Sequence, residues 1–213
     1  ATPERQDGHQ KIIFMTAGPI RHKVKRSSDE NFEQEVQIHQ LYDTPPLHLT
    51  LSDGRPKITD AYRWIMENEP RTLRIVSDVI SNVREGRHPI VLTERREHAD
   101  MINNLLKERG IDSVIMKGAM KAAERKHVDE YLSSALVVVA TGKYVGEGFD
   151  LPRLDTLFLA MPIAWKGSLA QYAGRIHRES DGKVRVTIHD YVDCGLPMLQ
   201  RMFNKREKSY KTM

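Results

Sequence analysis

The chain has 213 residues, 39 % of them hydrophobic and 29 % charged, which suits one large globular domain or two small ones rather than a disordered chain. A net charge of +4 and a pI of about 9.1 permit a nucleic-acid partner without requiring one. A single cysteine, Cys194, excludes an internal disulfide framework and suits a reducing cytoplasm, and neither an apolar run of roughly 20 residues nor a secretory signal points to a membrane.

Residues 1–10 are polar, contain Pro and Gly, and read as loop. The chain opens on Ala1 rather than Met, as a piece of something longer would. Residues 12–24 read as a strand pair interrupted by Gly18-Pro19, residues 23–31 as an exposed charged loop, and 35–41, alternating apolar and polar, as an edge strand. Pro45-Pro46 breaks the chain, and 47–51 is expected to form a short strand.

From Lys57 onward helices and strands alternate. Thr59 is expected to cap a helix running to Glu67. Pro70 opens a second helix in which Val76, Val79, Ile80 and Val83 share a face, with Gly86 as its end. Strand 89–93 follows, then helix 96–109 with Ile102, Leu105 and Leu106 inward and Gly110 as its stop. Strand 113–116, helix 121–132 and strands 135–140 and 155–161 come next. Residues 184–192 alternate as a last strand, and 196–208 form a terminal helix. The lysines and arginines of 201–213 read as a solvated face, with a phosphate contact as the alternative. The alternation predicts an α/β fold with a mostly parallel sheet and helices on both faces. Ligands of such sheets sit at the carboxyl ends of the strands, where Thr93, Lys117-Gly118 and Thr141-Gly142 fall.

Two stretches carry the chemistry. The first is Ala-Thr-Gly-Lys-Tyr-Val-Gly-Glu-Gly-Phe-Asp-Leu-Pro (140–152), which follows a continuous apolar run typical of a strand buried on both faces. Gly146 and Gly148 let the backbone approach a ligand where a Cβ would block it, and Asp150 offers an acceptor. The second is Gln-Tyr-Ala-Gly-Arg-Ile-His-Arg (171–178), helical in composition, with Arg175 and Arg178 at i and i+3 on one helix face. His177, between them, is expected to pack or to make a hydrogen bond. Trp64 reads as core, and Trp165 is the better candidate for an exposed, stacking role. Nine histidines show no metal-binding spacing, so no metal is assigned to the chain.

In this order and at this separation, 140–152 resembles motif V and 171–178 resembles motif VI of the superfamily 2 helicases and translocases, most closely the restriction-enzyme R-subunit and XPB-like branch. The resemblance implies a RecA-like three-layer fold, the second of two such domains in an ATP-driven motor. Residues 57–213 would form that domain. Residues 1–56 would connect it to the first, with 1–10 as the tail of motif III.

The implied roles follow residue by residue. Arg178 would be the arginine finger that reaches the γ-phosphate across the interdomain cleft, Arg175 a second contact to that phosphate, and Gln171 an orienting group. Gly146, Gly148 and Asp150 would line the nucleotide cleft with the two arginines. Thr93, Thr141, Gly142 and Arg125 resemble the positions that hold the sugar-phosphate backbone, a contact that positions the strand and reads no sequence. The implied ligands are ATP with Mg²⁺, bound mainly by the first RecA-like domain of the same parent chain, and nucleic acid, with double-stranded DNA in restriction or repair as the expected track. Within the 213 residues there is no Gly-x-x-x-x-Gly-Lys-Ser/Thr loop: Gly142-Lys143 and Gly182-Lys183 are followed by Tyr144 and Val184. The chain alone is therefore expected not to turn over ATP. The alternative is a non-catalytic RecA-like module that binds nucleic acid or protein.

Overall fold

Short aliphatic and β-branched runs become strands because each can be buried on both faces once helices pack above and below. In the computed structural model the described residues are 33–50, 57–118, 130–142, 151–163, 172–174, 176–178 and 182–210, with Met15, Met120, Lys126, Val128 and Ser180 as single positions. The strands are β1 (Glu33–Leu41), β2 (Pro89–Thr93), β3 (Ser113–Met116), β4 (Val137–Thr141), β5 (Thr156–Leu159) and β6 (Arg185–Asp193). They form one six-stranded sheet in the order β1-β6-β5-β2-β4-β3, with every pairing parallel. The helices are α1 (Leu47–Thr50), α2 (Ile58–Glu67), α3 (Glu69–Arg84), α4 (Arg96–Glu108) and α5 (Pro197–Tyr210).

Because side chains alternate across a strand, each strand feeds two cores. On one face Val91, Val137, Val139 and Phe158 meet Ile75, Val76, Val79 and Ile80 of α3 and Ala99, Ile102 and Leu106 of α4. On the other, Ile90, Leu92, Val138, Ala140, Leu157 and Ile188 meet Val128, Tyr172, Ala173 and Ile176. A third cluster joins Leu49 of α1, Ala61 and Ile65 of α2, Met161, Leu196, and Leu199 and Met202 of α5. Trp64 is partly buried against it, a core role as expected. The result is the three-layer α/β fold with a parallel sheet.

Several local expectations change. Residues 47–50 are helical rather than extended. Pro45-Pro46 leads into the turn, Leu49 N donates to Pro46 O (2.9 Å), and Leu49 is buried in the third cluster, so packing selects a helix. Thr59 is not a cap: α2 starts at Ile58 after Lys57, which makes no side-chain capping bond, and Thr59 is an exposed residue inside the first turn. The capping signal belongs instead to Asn68, whose side chain accepts from Arg71 N (3.1 Å), with Pro70 in the first turn of α3. Residues Gly86 (φ 78°) and Gly110 (φ 75°) end α3 and α4 in the left-handed region, as expected of helix-stop glycines.

β6 does not alternate: every residue after Arg185 is buried, because it lies between β1 and β5 with side chains packed on both faces. β1 is the outer strand of the sheet, as its alternation predicts. Of the strand pair expected over 12–24 only Met15 is described, and it is helical. Most of the helix expected over 121–132 lies outside the described residues, although Lys126, Val128, Glu130 and Tyr131 are helical.

The two aspartates of β6 are each matched by an arginine. Asp193 takes a bidentate bond from Arg71 of α3 (2.8 and 3.2 Å), and Arg71 Nη1 donates to Ala160 O (2.7 Å). Asp190 takes a bidentate bond from Arg206 of α5 (both 2.8 Å), and Arg206 Nη1 donates to Ile163 O (3.0 Å). Arg206 thus departs from the solvated face expected for the basic tail: it is 3 % exposed. Removing one partner of such a pair strands a buried charge. Arg71→Ala is expected to cost about 3–5 kcal/mol of folding stability, measured by urea unfolding.

Candidate functional site

The carboxyl ends of the central strands form one edge. Thr93 of β2 and Thr141 of β4 are register partners, and Met116, the last residue of β3, lies beside Ala140. Thr93, Thr141 and Gly142 therefore stand together, with Lys117 and Gly118 one strand away. Lys117 Nζ is held by Asp100 of α4 at 2.6 and 2.9 Å.

The two threonines are not equivalent in what they offer. Thr93 is 2 % exposed, and its Oγ1 pairs with His98 Nδ1 (3.0 Å) and accepts from Arg95 N (3.4 Å). His98 Nε2 pairs in turn with Thr72 Oγ1 (3.3 Å), so β2, α4 and α3 share a buried polar chain. Burial, reinforced by Arg71, pushes the His98 pKa down to about 3, and the ring is neutral at pH 7. The Thr93 hydroxyl thus faces inward, and what this strand end presents outward is backbone.

Gly142 explains itself by its neighbours. A Cβ built there would stand 2.5 Å from Tyr172 Oη and 2.8 Å from Glu94 Oε1. So the start of the 140–152 stretch, the residue after β2 and the first turn of the 171–178 helix converge on one point, where an added Cβ would have to displace the tips of two side chains. Glu94 and Tyr172 carried no spacing signal in the sequence, since they meet across loops of dozens of residues. Tyr172 lay inside the motif nonetheless.

From Tyr172 the helix descends along the sheet face, as a crossover between parallel strands must. Ile176 is fully buried, and His177, also buried, donates from Nδ1 to Ala173 O (2.6 Å) while Nε2 meets the Gln34 side-chain amide at 2.8 Å. Arg178 is exposed at the lower end of the helix. Its carbonyl accepts from Lys183 Nζ (2.6 Å), just ahead of β6, so it lies at the amino pole of the sheet, away from the threonine edge. The structure thus separates the expected backbone-binding edge from the expected phosphate-binding arginine. Gly146, Gly148, Asp150, Arg125, Gln171, Arg175 and Trp165 lie outside the described residues. Among the described residues no group of three or more His, Cys, Asp and Glu side chains is placed to hold a metal ion. No helix among them is long and apolar enough to cross a membrane.

Residues 71–180, just over half of the chain, match the helicase conserved C-terminal domain. The chain belongs to that family. The match opens at Arg71, the buried arginine of α3, and closes just past Arg178. The helicase domain is 25 % identical to the transcript termination protein A18 of fowlpox virus across 95 % of its own length, and spans 44 % of that relative. Its fold is shared with T4 UvsW (TM-score 0.64, 15 % identity, 94 % of this chain and 43 % of that one). It is shared equally with S. cerevisiae Dbp5 in a structure bound to RNA and ADP BeF3 (TM-score 0.60, 13 % identity, 99 % and 47 %). These matches place the chain as a superfamily 2 C-terminal RecA-like domain.

Two outcomes follow from this geometry. Gly142→Ala is expected to cost about 1–3 kcal/mol by overpacking, part of it recovered when Tyr172→Phe removes the opposing hydroxyl, as read by urea unfolding. The second concerns acid. His98 at about 3 and His189, pushed by burial to about 4, both lie below the ordinary 6.5. Between pH 6.5 and 4 the unfolded chain binds protons that the native state refuses, so stability falls as pH falls through that window. From pH 7.5 to 5.5 the loss is expected to be about 1 kcal/mol per histidine, seen in unfolding curves at the two pH values.

Proposed function

We propose that this helicase domain is the second motor half of an ATP-dependent translocase acting on nucleic acid, with double-stranded DNA as its track, and that Arg178 is its arginine finger. The observation that carries this reading is the placement of Arg178. It is an exposed residue just past a helical turn whose inner side is buried through Tyr172, Ala173 and Ile176, so its backbone stands on a packed base. A planar fork in that position can bond two phosphate oxygens of a nucleotide held by a partner domain, which lysine cannot imitate. Bound ATP with Mg²⁺ would supply the phosphoryl group, and residues of a first RecA-like domain would cradle it. The sequence described here holds no such cradle, so by itself the chain would not hydrolyse ATP. Residues 57–213 would make up the domain, with β1 added to its sheet edge from the connecting segment 1–56. Gly146, Gly148, Asp150, Arg175 and Gln171 are proposed to complete the nucleotide side.

The track is proposed to run over the carboxyl edge, along Thr141, Gly142 and Arg125. At β2 the contact would come through the backbone after Thr93, whose hydroxyl is engaged by His98. Such contacts grip the sugar-phosphate backbone irrespective of sequence, as a motor that advances along a strand needs. The likeness to a viral transcript termination protein supports a nucleic-acid substrate. Separation of the two sites suits the work: closure of the cleft acts on one face and displacement of the strand occurs at one edge.

In the full-length protein, Arg178→Ala is expected to lower nucleic-acid-stimulated ATP hydrolysis by roughly 10³-fold, with ATP binding retained. Steady-state hydrolysis beside equilibrium binding of a labelled nucleotide measures both. Hydrolysis at the wild-type rate would remove the arginine finger and leave a non-catalytic binding module as the reading.

A further inference from the structure

One side chain that no motif contains ties the two motif ends together. Lys183 Nζ lies within hydrogen-bond distance of four backbone carbonyls: Pro152 O (2.5 Å), Leu154 O (2.8 Å), Ile176 O (3.0 Å) and Arg178 O (2.6 Å). The first two belong to the segment that brings the 140–152 stretch back to the start of β5. Ile176 is the last helical residue of the 171–178 stretch and Arg178 lies two residues beyond it, at the end where a helix leaves acceptors unpaired and carries partial negative charge. The ammonium's three N–H groups face these four backbone acceptors, so the amine bears directly on main-chain position. Gly182, with φ 79° in the left-handed region, and the bond from Lys183 N to Ser180 O (3.1 Å) turn the chain so that this lysine points back under the helix.

We propose that Lys183 is a positioning residue for Arg178: its ammonium sets the backbone from which the arginine reaches, relative to the tail of the 140–152 stretch. This rests on the arginine-finger reading and deepens it. Burial pushes the amine down to about 8, opposed by Asp155 and reinforced by Arg87, so Lys183 still carries its proton at neutral pH and can donate all three bonds. Loss of the amine frees the carbonyls of Ile176 and Arg178 from those of Pro152 and Leu154. An ångström of misplacement at a group that meets the transferring phosphoryl lowers the rate by up to roughly a hundredfold.

The test is a double-mutant cycle in the full-length protein, with nucleic-acid-stimulated ATP hydrolysis and nucleotide binding measured for each variant. Lys183→Met is expected to lower kcat about ten- to a hundredfold while leaving the KM for ATP nearly unchanged. Combined with Arg178→Ala it is expected to add nothing to the loss caused by Arg178→Ala alone, because the two act as one unit. Thermal melting confirms that the variant is folded. Should Lys183→Met not fold, Lys183→Gln, which keeps an N–H donor group in place, enters the same cycle. A wild-type kcat for the lysine variant, or a double variant slower than Arg178→Ala by the full lysine factor, overturns the positioning role. Should Arg178→Ala itself hydrolyse ATP normally, the finger reading falls and this inference with it, an outcome distinct from a failure of Lys183 alone.

Discussion

Two buried arginine–aspartate pairs at the carboxyl end of β6 hold the rest of the domain in place. Asp190 and Asp193 are three residues apart on a strand and so face opposite sides of the sheet. Arg206 reaches one from α5, and Arg71 reaches the other from α3. Each arginine gives a further N–H to a carbonyl of the segment leaving β5, Ile163 O and Ala160 O respectively. The chain that leads from the sheet into the 171–178 helix is thereby gripped from both faces. Hydrophobic residues of equal volume could fill the space with comparable stability. They could not place two carbonyls, and with them the start of the helix that carries Arg178.

The second constraint is topological. A parallel sheet obliges each connection to leave at the carboxyl edge and return to the amino pole. Both chemistry-bearing stretches are such connections, one after β4 and one after β5. Their upper ends meet at Gly142 and Tyr172, where the absence of a Cβ lets them touch. Their lower ends meet through the amine of Lys183. The two contacts lie at opposite poles of the sheet, one at the threonine edge and one beside Arg178. Between them Tyr172, Ala173 and Ile176 pack against the sheet.

Much of the fold was legible in the sequence for a simple reason. Runs such as Pro89–Thr93 and Ser113–Met116 are mostly aliphatic, with a single hydroxyl residue at one end, and a strand covered on both faces accommodates them. The helix-stop glycines were legible too, because a left-handed φ has a local cost that glycine alone avoids. Residues 47–50 were misread because Leu-His-Leu-Thr alternates like a strand over too few residues to set a period, and Leu49 packs as a helical residue against α2 and α5. The alternation in β6 misled for a related reason. His189, Asp190 and Asp193 look like solvent-facing residues until Phe158, Arg206 and Arg71 arrive from distant parts of the chain to cover them.

The amino-acid sequence by itself determined the order of helices and strands, the parallel sheet they imply, and the two motif stretches with their arginines, since all of these depend on near neighbours along the chain. Only the tertiary structure decided where each polar group ends up and what it touches. It turned the Thr93 hydroxyl inward to His98, buried Arg206 against Asp190 and placed Arg178 at the pole opposite Thr141. It also converted Gly182-Lys183, unremarkable as letters, into a tie between two motifs. Hydrogen bonds to backbone carbonyls leave no trace in residue type, because every residue has a carbonyl, and only folding selects which four come within reach of one amine.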